Sequence, residues 1–336
     1  RGTRGKINLL GIQKLRELIL EMAVRGLLVP QDPNDEPASE LLKKIAAEKA
    51  QLIKQGKIKK NKSLPEISED EKPFDLPNGW DLAQLDEIGD WGAGSTPKRG
   101  NVDYYNGSIP WFKSGELVSD YVSKTEETIS EKALKECSLR LNQPGDVLVA
   151  MYGATIGKTS ILEVQGTTNQ AVCACTTFSG MFNQFLLLLL KAYKTRFTDM
   201  GAGGAQPNIS RIKIVSTVIA LPPKNEQKRI VEKVDELMAL CDQLESQTLD
   251  SMATHQTLVE TLLGNLVNPE NTTNFDQAWS ILAQNFDVIF TTEHSIDTLK
   301  QTILQLAVMG KLVPQNPNDE PASKLLEKIV KEKAQL

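Results

Sequence analysis

Residues 15–52 read LRELILEMAVRGLLVPQDPNDEPASELLKKIAAEKAQL, and residues 299–336 read LKQTILQLAVMGKLVPQNPNDEPASKLLEKIVKEKAQL. The second stretch lies 284 residues after the first without a gap, and about two-thirds of its positions are identical. Units of a solenoid bury their faces on immediate neighbours, so two copies this far apart do not make one. The repeat instead marks a large module followed by the beginning of another, and the chain reads as one half of a duplicated whole. A single pair of domains with similar caps is the plainer alternative.

Each copy carries the pattern helix, turn, helix. In the first, Ile12, Leu15, Leu18, Ile19, Met22 and Ala23 recur at helical spacing, and Gly26 supplies a stop. The following PQDPNDEP cannot continue a helix, because each proline lacks a donor and restricts the residue before it. Ser39 is the expected cap of a second helix carrying Leu41, Leu42, Ile45 and Leu52. Residues 54–62 are basic and residues 65–77 acidic and proline-punctuated. That stretch reads most simply as a solvated linker, with a phosphate-contacting arm as the alternative.

A longer helix is expected from Asn225 to about Leu266. Ile230, Val234, Leu237, Cys241, Leu244, Leu258 and Leu262 alternate in steps of four and three wherever the seam is apolar, with Thr248 and His255 interrupting it. At about 1.5 Å per residue the rod would be roughly 60 Å long. Pro222-Pro223 marks its start and Asn268-Pro269 its end. A lone helix would leave this stripe wet, so the rod needs a partner. Further helices are expected near 275–290 and 295–309.

Composition narrows the chemistry. The 336 residues are 40% apolar, 24% charged and only 5% aromatic, so a core built on Leu, Ile, Val and Ala is expected. A net charge of −5 argues against holding nucleic acid by bulk charge, although a local basic groove remains compatible with it. Cys137, Cys173, Cys175 and Cys241 include no C-x-x-C, and His255 and His294 have no ligand-like spacing, so no metal site is expected. The longest apolar run, Phe185 to Leu190, falls far short of the roughly 20 residues that span a bilayer. Residues 1–6 precede no apolar signal segment. These features point to a soluble, cytoplasmic protein without membrane contact.

Between about Asp75 and Leu221 the helical period gives way to short β-like runs at 147–149, 160–162, 171–173 and 215–221, with helices around 131–136 and 181–193. The expected class is therefore α+β, a globular mixed region joined to long coiled-coil helices. Gly153-Ala-Thr-Ile-Gly157-Lys158-Thr159 approaches a phosphate-binding loop, but that motif needs four residues between its glycines and here there are three. There is no G-x-G-x-x-G after a strand, no H-E-x-x-H and no [DN]-P-P-[FYW]. The residues offer no catalytic set and no cofactor site, so no enzyme is expected.

They do offer polar, glycine-bearing loops of the kind that read nucleic acid. Ser95-Thr-Pro-Lys98-Arg99-Gly100 and Lys113-Ser114-Gly115 carry cations. Thr168-Asn169-Gln170 and Ala205-Gln206-Pro207-Asn208 carry amides, which pair bidentately with adenine, as Arg and Lys do with guanine. Lys191 to Lys213 runs five positive charges to one negative. Ordinary turn chemistry explains each loop singly; their joint appearance favours recognition.

The run Gly107-Ser-Ile-Pro-Trp-Phe-Lys-Ser-Gly-Glu-Leu117 resembles the G-x-I-P-W-x-x-x-G-[DE]-[LI] motif of target recognition domains, found in specificity subunits of type I restriction–modification systems. Gly145-Asp-Val-Leu148, Tyr152-Gly-Ala-Thr-Ile-Gly-Lys158, Thr168-Asn-Gln-Ala171, Ala205-Gln-Pro-Asn-Ile-Ser210 and the Leu221-Pro-Pro-x-x-Glu-Gln-Lys-Arg-Ile-Val231 run match the same family in the same order. The repeat segments resemble its conserved helical regions. The resemblance covers nearly the whole chain. It implies two recognition domains held apart by antiparallel spacer helices, reading a two-part site on double-stranded DNA. Modification subunits, carrying S-adenosylmethionine and the methylation chemistry, would dock on the helices, and restriction subunits would join them. One recognition domain and a partial second repeat depart from that pattern. An N-terminal half, a fragment and a half-subunit that self-dimerises all stay open.

The resulting division is 1–74 as a helical region with linker, 75–221 as the recognition domain, and 222–336 as spacer helix and second repeat. Lys98, Arg99, Lys113 and Lys158 are expected on phosphates or guanine, and Asn169, Gln170, Gln206 and Asn208 on base edges or in holding the loops. Ser114, Tyr152 and Thr155 share those loops. Leu15, Ile19, Met22, Ile230, Val234, Leu237, Leu244, Leu258, Leu262, Ile303 and Leu306 are the expected subunit-interface residues. The alternative from another class is a coiled-coil scaffold whose globular domain binds protein.

Overall fold

Helix α1 (Arg4–Val24) ends where Gly26 takes φ +69, the left-handed conformation that glycine adopts freely. A Cβ there would lie 2.6 Å from the Pro77 ring. Helix α2 (Ala38–Lys54) follows the proline turn and starts directly after Pro37. Ser39 is therefore inside the first turn rather than at the cap: Pro37, already extended at φ −57 and ψ 148, occupies the capping position. The computed structural model describes residues 4–61, 63–202, 207–267, 275–313 and 316–334.

The strands and short helices of the middle region follow: β1 (Asp81–Gln84), β2 (Gly89–Ala93), β3 (Tyr105–Phe112), β4 (Tyr121–Val122), β5 (Thr128–Ile129), α3 (Glu131–Glu136) and β6 (Val147–Ala150). Then come β7 (Thr159–Leu162), β8 (Thr167–Thr168), β9 (Val172–Thr177), α4 (Asn183–Ala192), α5 (Lys194–Gly201), α6 (Arg211–Val215) and β10 (Val218–Leu221). The remainder is helical: α7 (Lys224–Val267), α8 (Phe275–Gln284), α9 (Phe286–Ile289), α10 (Glu293–Val308) and α11 (Ala322–Lys333). The mixed α+β class expected from the sequence is the class observed. No helix among the described residues is long and apolar enough to cross a membrane.

The chain forms two compact units, one of residues 13–241 and one of residues 1–12 with 242–336. In the first, a five-stranded sheet runs in the order β2-β9-β6-β7-β4 and a three-stranded sheet in the order β5-β3-β8. Central β6 and its neighbour β7 are buried at every residue. Helix α4 packs on both of them and buries all of Phe185 to Leu190, as a helix apolar on every side must. Strand β3 splits the core by its period of two. Ile109 and Trp111 face a cluster with Ile129 and Ala133, while Phe112 faces Leu148, Leu162 and Val172. Cys173 and Cys175 sit inside β9, where burial pushes the Cys173 thiol up to about 12; both pack as apolar residues. β1 and β10 pair antiparallel, Asp81 opposite Leu221, so the region opens and closes at one place.

That closure is held by α2 and the start of α7. Leu41 and Ile45 of α2 are buried; Lys49 Nζ donates to the Asp86 carboxylate at 2.6 Å, and Glu48 accepts from the Ser179 amide at 2.8 Å. A Cβ on Gly180 would lie 2.6 Å from the Leu41 side chain, so this contact needs glycine. From α7, Arg229 donates to Asp35 at 2.7 Å and Asn225 donates to it at 3.1 Å. Gln227 is fully buried, accepting from the Phe182 amide at 2.9 Å. The linker is not wholly solvated: Asn61 donates to Asp86 and Gln84 to the Pro65 carbonyl.

The expected seam of α7 needs correction. Within residues 13–241 it holds, with Ile230, Val234 and Cys241 buried and Leu237 half-buried. Leu244 and Leu258, however, are 46% and 49% exposed. In the second unit the buried residues are Val259, Leu263 and Leu266, which pack on Leu282, Ile289 and Phe290, with Leu262 and Leu299 partly buried. The buried positions have moved on by one. A straight α-helix drifts about 20° per heptad, so some four heptads accumulate close to the 100° of one residue. Strict heptads assume a supercoil; here the partners are the short helices α8 to α10. His255 bonds the Ile289 carbonyl at 2.9 Å, a packed histidine rather than a ligand. Of the other expected interface residues, Ile19 and Leu306 are buried, Met22 and Ile303 half-buried and Leu15 exposed.

Asp35 tests the closure. Hydrogen bonding from Arg229 holds its carboxyl below the usual value of 3.8. Asp35→Asn is expected to lower unfolding stability by about 1–3 kcal/mol at pH 7, read in urea titrations. Because the folded-state value is depressed, the benefit is complete above pH 3.8 and is lost as pH falls through the depressed value, where variant and parent should converge.

Candidate nucleic-acid interface

Strand direction gathers the polar loops. β2 and β6 both run antiparallel to β9, with Ala93 opposite Cys173 and Ala150 opposite Val172. The ends of β2 and β6 therefore meet the start of β9. β3 and β8 are parallel and finish together at Phe112 and Thr168. Backbone bonds lock the two sheets' loops to each other: Ser95 N donates to Thr168 O at 3.0 Å, and Asn169 N donates to Phe112 O at 3.0 Å. The amide of Met151 donates to Ala171 O, and Gly153 N donates to Pro207 O, both at 2.8 Å. Loops 94–99, 113–116, 151–155, 168–171 and 207–208 thus form one contiguous surface. Gly94 makes the approach possible, since a Cβ there would lie 2.2 Å from the Thr168 carbonyl.

The expected cations do not behave alike. Arg99 is clamped: its guanidinium lies 4.8 Å from the Tyr105 ring centre and 5.0 Å from that of Trp111, and it donates to Glu127 at 2.5 and 3.3 Å. Lys113 donates to Glu126 at 3.0 Å and Glu127 at 3.1 Å. Hydrogen bonding from Arg99, then from Lys113, holds the Glu127 carboxyl below its usual range. Both cations are paired within the protein, the Arg99 side chain being 56% exposed and that of Lys113 27%. Lys98 is exposed, and among the described residues it makes no ion pair. Lys158 lines a separate groove of about 1020 Å³ beside Arg16, Lys191 and Lys194.

The amides divide in the same way. Asn169 is half-buried and accepts from the Ala171 amide at 3.1 Å, which is local turn chemistry. Gln170 is exposed and bonded to the Thr96 hydroxyl, tying the two loops together. Tyr152 and Asn208 are exposed and joined by a backbone bridge. Thr155 donates back to the Tyr152 carbonyl at 2.7 Å, and Ser114 is half-buried in the turn after Lys113. Gln206 lies outside the described residues. Thr96, Tyr105, Glu126 and Glu127 were missed in the sequence. Glu127 is 28 residues from Arg99, and no local pattern links them.

A family model described as the type I restriction modification DNA specificity domain matches residues 77–252, more than half of the chain. The chain belongs to that family. It is 47% identical to the type I restriction enzyme EcoAI specificity subunit of Escherichia coli, over 100% of this chain and 58% of that protein. It is 46% identical to the EcoEI specificity subunit, also of Escherichia coli, over 100% of this chain and 57% of that one. The chain thus spans somewhat over half the length of these relatives. Among solved structures, the HsdS subunit from Thermoanaerobacter tengcongensis aligns with TM-score 0.44 and 18% identity, covering 73% of this chain and 51% of that one.

The clamp around Glu127 is directly testable. Glu127→Gln is expected to release Arg99 and to loosen Lys113, which keeps its bond to Glu126, at a cost of about 0.5–1 kcal/mol after allowing for their partial exposure. Hydrogen exchange should speed up in loops 95–99 and 113–116 and stay unchanged in β6. Unchanged exchange in both loops would show that the clamp does not hold them.

Proposed function

We propose that this chain is the part of a type I restriction–modification specificity subunit that reads one half of a two-part duplex site. Its helices would dock the modification subunits, which carry S-adenosylmethionine and the methylation chemistry. Restriction subunits would join through that complex, and the chain itself would do no chemistry. The observation that carries this reading is the single polar surface built where β2, β3, β6 and β8 end and β9 begins. Lys98 is positioned for a phosphate, and the exposed Gln170, Tyr152 and Asn208 for base edges or sugar. Arg99, Lys113 and Asn169 act by holding the loops in register. Since most of the local positive charge is already paired, recognition here rests on hydrogen bonding more than on net charge. The match of residues 77–252 to the type I restriction modification DNA specificity domain supports this reading over a coiled-coil scaffold that binds protein.

Two measurements test the reading. Methylation mapping in a host expressing the chain with its modification partner should reveal a defined site, and Gln170→Ala with Asn208→Ala should relax preference at individual positions, each good bidentate pair being worth about 1–3 kcal/mol. Lys98→Ala should instead weaken binding to all sequences and reduce the salt slope by about one unit. Methylation that ignored all three changes would contradict the assignment.

A further inference from the structure

The closure between the globular region and its helices buries a carboxyl that has no cation of its own. Glu226, in the first turn of α7, is 1% exposed. Its Oε1 accepts from Gln31 Nε2 at 3.3 Å, a long bond from an amide that also serves the Gly26 carbonyl at 2.9 Å. Its Oε2 is in no well-formed hydrogen bond among the described residues, and the same holds for the buried indole nitrogen of Trp80, which faces the carboxyl. Three elements meet on this side chain: the turn after α1 through Gln31, the segment before β1 through Trp80, and α7 itself. The fit around it is close, since a Cβ on Gly26 would lie 2.6 Å from the Pro77 ring and 2.8 Å from that of Trp80.

Each neighbouring charge is committed elsewhere or opposes ionisation. Arg229, three residues on along α7, donates to Asp35 at 2.7 Å and is drawn to Asp32 as well. Lys224 and Lys228 of the same helix are exposed. Asp35, on the turn that carries Gln31, disfavours a second negative charge, and residues 77–80 hold no titratable group. The free amides of the first turn of α7 favour an anion, but only within the reach of the helix end. Loss of water is the larger effect. Burial raises the Glu226 carboxyl above its usual value of 4.5, against the pull of Trp80, Gln31 and Arg229.

We propose that Glu226 is a proton-operated latch on this closure: neutral, it lets the turn after α1, Trp80 and α7 close on one another; ionised, it draws water between them and loosens the seat. Because the folded-state value is raised, the stability contributed by the neutral carboxyl is fully present below 4.5 and is lost as pH rises through the raised value. Asp35 works in the opposite sense, its contribution being complete above 3.8. The two carboxyls bound a window, in which the closure is tightest above the titration of Asp35 and below that of Glu226. Proton concentration is thereby coupled to how firmly the turn after α1 and the first turns of α7 are held on the globular region. Gln31, Trp80 and Glu226 lie outside the loops proposed to read bases, so latch and readout can fail separately.

The test follows thermal unfolding of the full chain and of Glu226→Gln from about pH 4.5 to about pH 8. The amide has the shape of the neutral carboxyl and cannot ionise. The two proteins should match at the acid end, and the variant should exceed wild type in Tm by about 2–4 °C at the other. A variant less stable than wild type by the same margin throughout overturns the proposal, since the carboxylate would then hold the closure as an ion. Hydrogen exchange on wild type serves if the variant fails to fold. Corrected for the intrinsic pH dependence of amide exchange, protection of residues 26–31 and 79–82 should fall about tenfold over the same range while that of β6 holds. Constant protection at 26–31 and 79–82 overturns the proposal. So does an equal loss in β6, because the loosening would then be global rather than at the latch.

Discussion

The antiparallel pairing of β1 with β10 is the constraint on which the rest depends. It puts Asp81 opposite Leu221, so everything between them leaves and returns through one doorway. The doorway is fixed from both sides, by α2 through Leu41, Ile45 and Lys49, and by the first turns of α7 through Asn225, Gln227 and Arg229. Charge-assisted bonds such as Arg229 to Asp35 are stronger than neutral ones, and Asp35 is shielded enough to benefit. Loops beyond the doorway can then change sequence without altering how the helices leave it.

The sheet gives the globular region two different ends. At one, Gly89 lies opposite Thr177, and the nearby Asp86, Ser179 and Gly180 receive α2. At the other, Ala93 lies opposite Cys173 and the polar loops collect. Four steps along β2, from Gly89 to Ala93, separate them, about 13 Å at the usual rise per residue. Attachment and recognition therefore do not compete for surface. Buried strands β6 and β7 between the two ends make a stiff support, which matters because base readout needs side chains held to fractions of an ångström.

Helices were legible from the sequence because their signals are local. The 3.6 period, Gly26 and the paired prolines marked α1, α2 and α7, and the apolar run 185–190 marked α4. The repeat was legible for the same reason. Strand β2 was not, since Gly89, Asp90 and Gly92 are poor strand formers that pair only because β9 offers an edge. β4, β5 and β8 are two residues each and exist only by their partners. At the loops, residue types pointed to recognition, but which cations stand free depended on Glu126 and Glu127, far along the chain. The one-residue drift of the α7 seam was invisible because heptad counting assumes a supercoiled partner.

Photocross-linking tests the central claim, that this one loop surface meets DNA, most directly. A bromodeoxyuridine-substituted duplex containing the methylated site would be irradiated in complex with the full chain and its modification partner, and the cross-linked peptides mapped by mass spectrometry. The account predicts cross-links in residues 95–99, 152–155, 168–171 and 207–208. Cross-links confined to α2, α7 or the receiving end around Asp86 and Ser179 would contradict it.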